Sequence, residues 1–406
     1  MYIADGHHRS QRAHRRGKAR GRSWGEARGS FKHNKTPRNK TRPKTLTIST
    51  RSAKFVATIN IIPDMNKRVL VTGGCGYIGS HTCVELAEAG FEPIIVDNLS
   101  NSEKIALEGV EKILGRKIEF IKADCCDAAA MEEIFEKYDF SSIIHFAAFK
   151  AVGESVSKPL DYYRNNLGSL INMLSLMRKH NVPNIVFSSS ATVYGQADVL
   201  PVTERTPRKE ATSPYGSTKQ MCEDILHSCS VAYPKINVIA LRYFNPIGAH
   251  PSALIGELPR GVPNNLIPFV TQTAAGIRPV LSIFGNDYNT PDGTCIRDYI
   301  DVTDLAKAHV CAVNRMIEGT GHSNYEVFNV GTGRGVSTLE VVQTFERVNN
   351  LKLNWKFADR REGDIESVWA DTTYANEELG WKAIMPLDET LRNAWRWQQY
   401  IDSQKK

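Results

Sequence analysis

From Lys67 onward, short apolar runs alternate with stretches in which apolar residues recur every three to four positions, the signature of strand followed by helix. "RVLVTGG" reads as a buried strand, "GSHTCVELAEAG" as an amphipathic helix stopped at Gly90, and "EPIIVDNL" as a second strand. The alternation continues with a helix near 103–114, the strand "IEFIKADC", a helix near 128–138 and the strand "SSIIHFAA". After a loop, "FKAVGESVSKP", come a helix from Leu160 to Asn181, the strand "NIVFSSSA", a helix from Tyr215 to Tyr233 and the strand "INVIALRYFN". Strands separated by helices predict an α/β fold with a Rossmann-like, doubly wound parallel sheet.

Beyond Asn245 the pattern changes. Pro, Gly and Asn crowd "NPIGAHPSALIGELPRGVPNNLIPF", which predicts a smaller, loop-rich substrate lobe over the carboxyl ends of the strands. "IRDYIDVTDLAKAHVCAV" and "YEVFNVGTG" read as strand and helix returning toward the sheet, so the lobe is discontinuous in sequence. The expected division is a basic extension over 1–64, a nucleotide-binding domain over 65–245, and a mainly substrate-binding region over 246–406.

Charge sharpens this division. The chain of 406 residues carries a formal net charge of +7, but residues 1–64 hold 16 Lys+Arg against 3 Asp+Glu and the remainder holds 35 against 41. The basicity belongs to the extension, and the body offers no electrostatic case for nucleic acid or a membrane surface. The extension, poor in aliphatic residues and without periodicity, is expected to be disordered. Translated upstream sequence, a basic targeting or nucleic-acid tail, and a transit peptide are the alternatives. The first is preferred, with a natural start at Met65, because "NKRVLVTGG" follows at once. No apolar run is long enough to cross a bilayer. Eight cysteines without C-x-x-C pairing or a His cluster at metal spacing suit structural thiols, no metal, and a reduced cytoplasmic setting.

Two constellations carry chemistry. In "VTGGCGYIGSH" Gly73, Gly76 and Gly79 lie between strand and helix, where unpaired N–H groups at a helix N-terminus stabilise a pyrophosphate. Asp97 stands 18 residues beyond Gly79, at the end of the second strand. Its carboxylate can accept from both adenosine ribose hydroxyls and would repel a 2′-phosphate, which favours NAD over NADP. In "SPYGSTK" Tyr215 and Lys219 are four residues apart, on one face of a helix. A neighbouring ammonium favours the phenolate and draws the tyrosine down from about 10. The serines of "FSSSATVYG" can supply a third hydroxyl; Ser188 and Ser189 suit turn capping better than Ser190 does.

These motifs, with "HFAAFKAVGESVSKPLDYY", "LRYFNPIGAHPS", "NNLIPF", "IFGNDYNTPDGTCIRDYIDVTDLA" and "RREGDIESVWAD", resemble the extended short-chain dehydrogenase/reductase family and, within it, its NAD-dependent nucleotide-sugar 4-epimerases. The resemblance spans residues 66–400. It implies an isomerase that interconverts UDP-glucose and UDP-galactose: the C4 hydroxyl proton is abstracted while the C4 hydride passes to tightly bound NAD, and the hydride returns to the opposite face of the 4-keto sugar. It assigns Tyr215 as general base, Ser190 as the proton-relaying hydroxyl and Lys219 as electrostatic partner that also holds the nicotinamide ribose. The implied NAD site takes in Gly73, Gly76, Tyr77, Ile78, Gly79, Asp97, Asn98, Asp124, Cys125, Phe146, Ala147, Lys150, Asn165, Ser188, Tyr215, Lys219 and Phe244. Asn245, Asn265, Arg297, Arg361, Asp364 and Val368, with Ser190 and Tyr215, match nucleotide-sugar contacts, the arginines suiting a diphosphate.

Related 4,6-dehydratases carry Thr-Asp-Glu where this chain has Ser190, Ala191 and Thr192, so carboxylates for eliminating water are missing. Where some relatives carry a tyrosine near the sugar C2, this chain has Val368, which opens the way to N-acetylated UDP-sugars. An epimerase for another nucleotide sugar and a dead NAD-binding relative are the competing readings. The family is usually dimeric, here through helices near 160–181 and 215–233.

Overall fold

The computed structural model describes residues 66–361 and 364–404. The expected disordered extension over 1–64 and the start at Met65 lie outside the described residues. Among those described, no helix is long and apolar enough to cross a membrane.

The first half alternates as the apolar pattern predicts: β1 (Arg68–Thr72), α1 (Tyr77–Glu88), β2 (Glu92–Val96), α2 (Lys104–Leu114), β3 (Glu119–Ile121), α3 (Ala128–Lys137), β4 (Ser142–His145), α4 (Val152–Ser157), α5 (Pro159–His180), β5 (Asn184–Ser190), α6 (Pro214–Ala232) and β6 (Asn237–Tyr243). Helix ends carry local stop signals. Gly115 and Asn181 close α2 and α5 in the left-handed conformation, and Asp127 caps α3 through the N–H groups of Ala129 and Ala130. The second half contains β7 (Asn245–Ile247), α7 (Leu266–Ala274), β8 (Leu281–Phe284), β9 (Ile296–Arg297), β10 (Tyr299–Asp301), α8 (Val302–Glu318), β11 (Tyr325–Val330), β12 (Val336–Ser337), α9 (Thr338–Asn349), β13 (Trp355–Ala358), β14 (Ser367–Val368), α10 (Thr373–Glu378) and α11 (Leu387–Gln404).

Seven strands form one parallel sheet in the order β11-β6-β5-β4-β1-β2-β3. Chain direction across the sheet reverses between β1 and β4, the switch point at which such sheets bind ligands. Successive residues of each strand serve opposite cores. Val69 and Val71 join Leu86 of α1 and Leu305 of α8 on one face, while Leu70 joins Met173 of α5 and Leu226 of α6 on the other. Burial on both faces is why these strands read as near-continuous apolar runs. A separate core built from Ile267, Ile283, Tyr299, Val341, Phe345 and Leu391 serves the lobe.

Two expectations need correction. The loop "FKAVGESVSKP" contains α4, a helix its sequence disfavours because Gly153 sits in its first turn. Tertiary contact supplies the missing order: Tyr162 of α5 accepts from Ala151 N at 3.1 Å and donates to Glu154 at 3.0 Å. The strand of "IRDYID" does not rejoin the main sheet. It splits into β9, which pairs with β12 and β14, and β10, which pairs with β7. Of the two returning segments only β11 enters the seven-stranded sheet, beside β6, while α8 packs on α1 through the first core.

Candidate active site

The glycine turn is built by contact rather than by flexibility alone. Gly73 has φ +73°, and its N–H donates to Val96 O at 2.7 Å, fastening the end of β1 to β2. A side chain there would lie 3.0 Å from Ala147 N, against the end of β4. At Gly79 a side chain would run into the Gly73 carbonyl oxygen and lie 2.8 Å from the Gly74 Cα. Helix α1 can therefore start against the turn, with the N–H groups of its first turn lacking carbonyl partners one turn earlier. The cradle fits a pyrophosphate, stabilised by those N–H groups.

The residues assigned to NAD gather at the carboxyl ends of β1 to β4. Asp97 follows β2 and accepts from Cys75 N at 3.0 Å, Leu99 N at 2.8 Å and Ser102 Oγ at 2.7 Å. These donors fix the carboxylate at the end of β2, beside the glycine turn. Asn98 donates to Asp124 at 2.9 Å, linking the ends of β2 and β3, and Cys125 beside it is buried. Phe146 packs on His309 with ring centroids 4.8 Å apart. Asn165 on α5 donates to Asn166 at 3.0 Å. Tyr77 and Ile78 open α1, but the Tyr77 hydroxyl reaches away to Gly248 O at 2.8 Å. Lys150 forms an ion pair with Glu257 at 3.3 Å.

Helix α6 brings the reactive trio together. Ser213 caps it by accepting from Gly216 N at 3.2 Å, and Pro214 opens its first turn, so Tyr215 stands at the mouth of the helix with Lys219 one turn deeper. Ser190 is the last residue of β5, with its side chain close enough to the Tyr215 phenol to favour the phenolate. It also accepts from Thr192 N at 3.2 Å, so the capping role expected of Ser188 and Ser189 falls to Ser190. The reason is position: only the residue that leaves the strand faces the turn that follows. Ser188 instead offers its carbonyl to Lys219 Nζ at 2.6 Å.

The electrostatics also depart from expectation. Burial pushes the Tyr215 phenol up to about 12, with Ser190 acting in the opposite sense. The Lys219 ammonium is engaged by the Ser188 carbonyl and lies 5.8 Å from the Tyr215 ring centroid, so it does not offset burial. Lys219, 3% exposed, is itself lowered to about 8 by burial, opposed by Cys222 and Glu223.

The nucleotide-sugar residues fall into two groups. Arg297 and Arg361 flank one carboxylate: Arg361 donates to Asp364 at 3.1 Å and Arg297 lies 3.9 Å from it. Val368 pairs in register with Arg297 and joins Phe244, Val193 and Tyr194 in a small apolar cluster behind Ser190. Asn245 donates its N–H to Asp298 O at 2.9 Å. Asn265 is tied to Glu257 at 2.6 Å, the carboxylate that also meets Lys150.

Sequence reasoning overlooked three buried or bridging carboxylates. Glu257 joins residues assigned to different ligands and leaves no local signal. Asp298, fully buried between β9 and β10, accepts from the N–H groups of Thr332, Gly333 and Ala370. Glu223 lies four residues beyond Lys219, on the face of α6 that helical spacing had already marked.

A switch-point glycine turn beside a serine, a tyrosine and a lysine defines a member of the extended short-chain dehydrogenase/reductase class. Residues 70–394 match the family model described as GDP-mannose 4,6 dehydratase. The chain is 52% identical over 337 residues to a UDP-glucose 4-epimerase of Dictyostelium discoideum, covering 82% of this chain and 96% of that one. Its fold matches the structure of UDP-glucose 4-epimerase from Bifidobacterium longum in complex with NAD+ and UDP, with TM-score 0.78, 46% identity, and coverage of 82% and 98%. It also matches the UDP-Glc/GlcNAc 4-epimerase from Campylobacter jejuni, with TM-score 0.71, 34% identity, and coverage of 82% and 99%. The chain belongs to the UDP-glucose 4-epimerase family.

The glycine packing can be tested by a matched pair of substitutions. Gly79→Ala should destabilise the protein by about 1–3 kcal/mol, because backbone must move to admit the methyl. Gly153→Ala, on α4 with open space around it, should be neutral or stabilise by up to ~1 kcal/mol. Denaturant unfolding of both variants would check this; equal effects would overturn the steric account.

Proposed function

We propose that the protein is an NAD-dependent UDP-glucose 4-epimerase, inverting C4 of UDP-glucose and UDP-galactose in cytoplasmic galactose metabolism. The observation that carries this reading is the convergence of Ser190 at the end of β5 with Tyr215 and the buried Lys219 on one face of α6, at the sheet edge that also holds the glycine turn. Such an arrangement lets one phenol exchange a proton with a sugar hydroxyl while a fixed positive charge stands nearby.

Residues 65–245 would hold the cofactor and 246–406 mainly the sugar nucleotide. Gly73, Gly76 and Gly79 clear the space for a pyrophosphate, and Asp97 keeps an acceptor for the adenosine ribose. NAD, when bound, supplies the hydride acceptor and donor for C4 and a positive charge beside the phenol. Tyr215 takes the C4 hydroxyl proton through Ser190 and later returns it. Because burial raises the phenol and Lys219 alone does not offset it, that proton transfer depends on the positive charge NAD would bring, while Lys219 in its protonated form would hold the nicotinamide ribose. Arg297 and Arg361 neutralise the diphosphate of the substrate, with Asp364 holding the two guanidinium groups in place. Asn245 and Asn265 orient the sugar nucleotide from the lobe.

Val368 favours a second activity. Its side chain, in the apolar cluster with Phe244 and Tyr194, is smaller than the tyrosine some relatives carry at this position, and the difference in size would admit an N-acetyl group at C2. The protein works as a homodimer through α5 and α6. These adjoining helices leave Leu160, Ile171, Met221 and Val231 exposed, an apolar set that a second copy would cover.

Purified protein given UDP-galactose and no added nicotinamide should form UDP-glucose once cofactor occupancy is confirmed by absorbance. Tyr215→Phe should lower kcat by roughly 10²–10⁴-fold while the melting temperature holds; full retained activity would remove Tyr215 as the base. UDP-N-acetylglucosamine should also be epimerised, and Val368→Tyr should suppress that reaction more than the one on UDP-glucose; no turnover of the N-acetyl sugar by the unmodified protein would sink this activity. Sedimentation should find a dimer that Leu160→Glu weakens, and a monomer at micromolar concentration would overturn the assembly.

A further inference from the structure

Three consecutive serines end β5, and each meets a different turn of α6. Ser190 stands beside Tyr215, the Ser188 carbonyl accepts from Lys219 at 2.6 Å, and Ser189 Oγ donates to Glu223 at 2.6 Å. Tyr215, Lys219 and Glu223 are spaced four apart, so their side chains share one helix face. The first two contacts belong to groups with assigned roles; the third does not.

Glu223 is 2% exposed, and Arg242 of β6 forks onto both of its oxygens, at 2.9 Å from Nε and 2.7 Å from Nη2. Arg242 also donates to the Tyr194 hydroxyl at 2.9 Å, and Tyr194 closes the short turn that Ser190 caps. One carboxylate therefore ties together α6, the end of β5, β6 and the turn leaving Ser190. Burying two charges is costly, and apolar packing would join the same elements at least as firmly. What apolar packing cannot supply is direction, because a forked pair fixes register where a greasy contact slides.

We propose that Glu223, with Ser189 and Arg242, is a positioning residue for the epimerase reaction, setting the register of α6 against β5 at which Ser190, Tyr215 and Lys219 meet. The inference rests on the epimerase reading above. A second effect acts through charge. Around Lys219 stand Tyr215, Cys222 and Glu223 on its own helix, His145 on β4, and Arg242 and Tyr243 on β6. His145 is lowered to about 3 by burial and stays neutral, while Tyr243 is raised by burial and stays protonated. Glu223 opposes the loss of the Lys219 proton, and Arg242, whose charge it shares, moderates that effect.

The test compares Glu223→Gln with Glu326→Gln. The second breaks another buried fork, Arg315 on Glu326 at 2.7 and 2.8 Å, which joins α8 to β11 and touches none of the trio. Both variants should melt at lower temperature. Glu326→Gln should keep its kcat and pH profile, whereas Glu223→Gln should lose roughly 10–100-fold in kcat for UDP-galactose with KM little changed. Its alkaline fall in kcat should also begin at lower pH, because Lys219 without the carboxylate gives up its proton sooner. Should Glu223→Gln fail to fold, Ser189→Ala carries the test, with about a tenfold loss of kcat expected at unchanged KM. An active wild-type protein whose Glu223→Gln and Ser189→Ala variants match it in kcat and pH profile overturns the positioning role alone. A wild-type protein that leaves UDP-galactose unchanged, with cofactor present, overturns the epimerase reading and this inference with it.

Discussion

The first turn of α1 lies so close to the end of β1 that no side chain can stand between Gly79 and the Gly73 carbonyl, and much of the ligand-facing edge follows from that approach. It brings α1 down onto the sheet, where Cys83, Val84 and Leu86 fill the same core as Leu305, Ala308 and Ala312 of α8. It also brings the turn against Ala147, at the end of β4, so backbone meets backbone at the switch point. A backbone surface presents N–H groups at fixed spacing without side-chain entropy to lose, which is the property an anionic ligand exploits.

The opposite side of that edge is held by polar contacts rather than by close packing. Near the end of β5 the Ser188 carbonyl and the Ser189 hydroxyl are both engaged by α6, and the helix is in turn fixed to β6 through Glu223 and Arg242. Buried charge is expensive in such a place. The cost brings an environment in which Lys219 and Tyr215 are both shifted by burial, Lys219 down to about 8 and Tyr215 up to about 12. Groups displaced in opposite directions respond strongly to any charge introduced between them, because little water is present to screen it. The site is therefore arranged so that charge arriving with its ligands changes its proton affinities.

How much of this was legible in the chain depends on the range of the interaction. The strands of the main sheet could be read because burial on both faces leaves a continuous apolar run, as in Val69, Leu70 and Val71 of β1. The Tyr215 and Lys219 pairing was legible because helical spacing is local. Helix α4 was not, since its order comes from Tyr162, a residue on the following helix. Nor could the course of "IRDYID" be foreseen, because β9 and β10 find their partners 39 to 71 residues away in β12 and β14 or back in β7. The expected lowering of the Tyr215 phenol failed for a similar reason: sequence spacing places an ammonium nearby but does not say that the Ser188 carbonyl engages it. Glu257 illustrates the extreme case, a carboxylate whose two partners lie 107 residues before it and 8 residues after it in the chain.

The match to a family model described by a dehydratase and the identity to epimerases meet at three residues. Both chemistries need the glycine turn, the tyrosine and the lysine, so neither distinguishes them, and a shared fold leaves the reaction open. Eliminating water requires an acid and a base positioned beyond the oxidised carbon. In this chain Ser190 is followed by Ala191, whose methyl offers no proton, and by Thr192, whose hydroxyl is buried without a protein partner. The turn that carries them is closed by Tyr194, whose hydroxyl donates to Asn329 at 2.6 Å and accepts from Arg242, so it cannot swing in to serve as a substitute acid. With no carboxylate at these positions, a sugar oxidised at C4 has one productive course left: reduction from one face or the other.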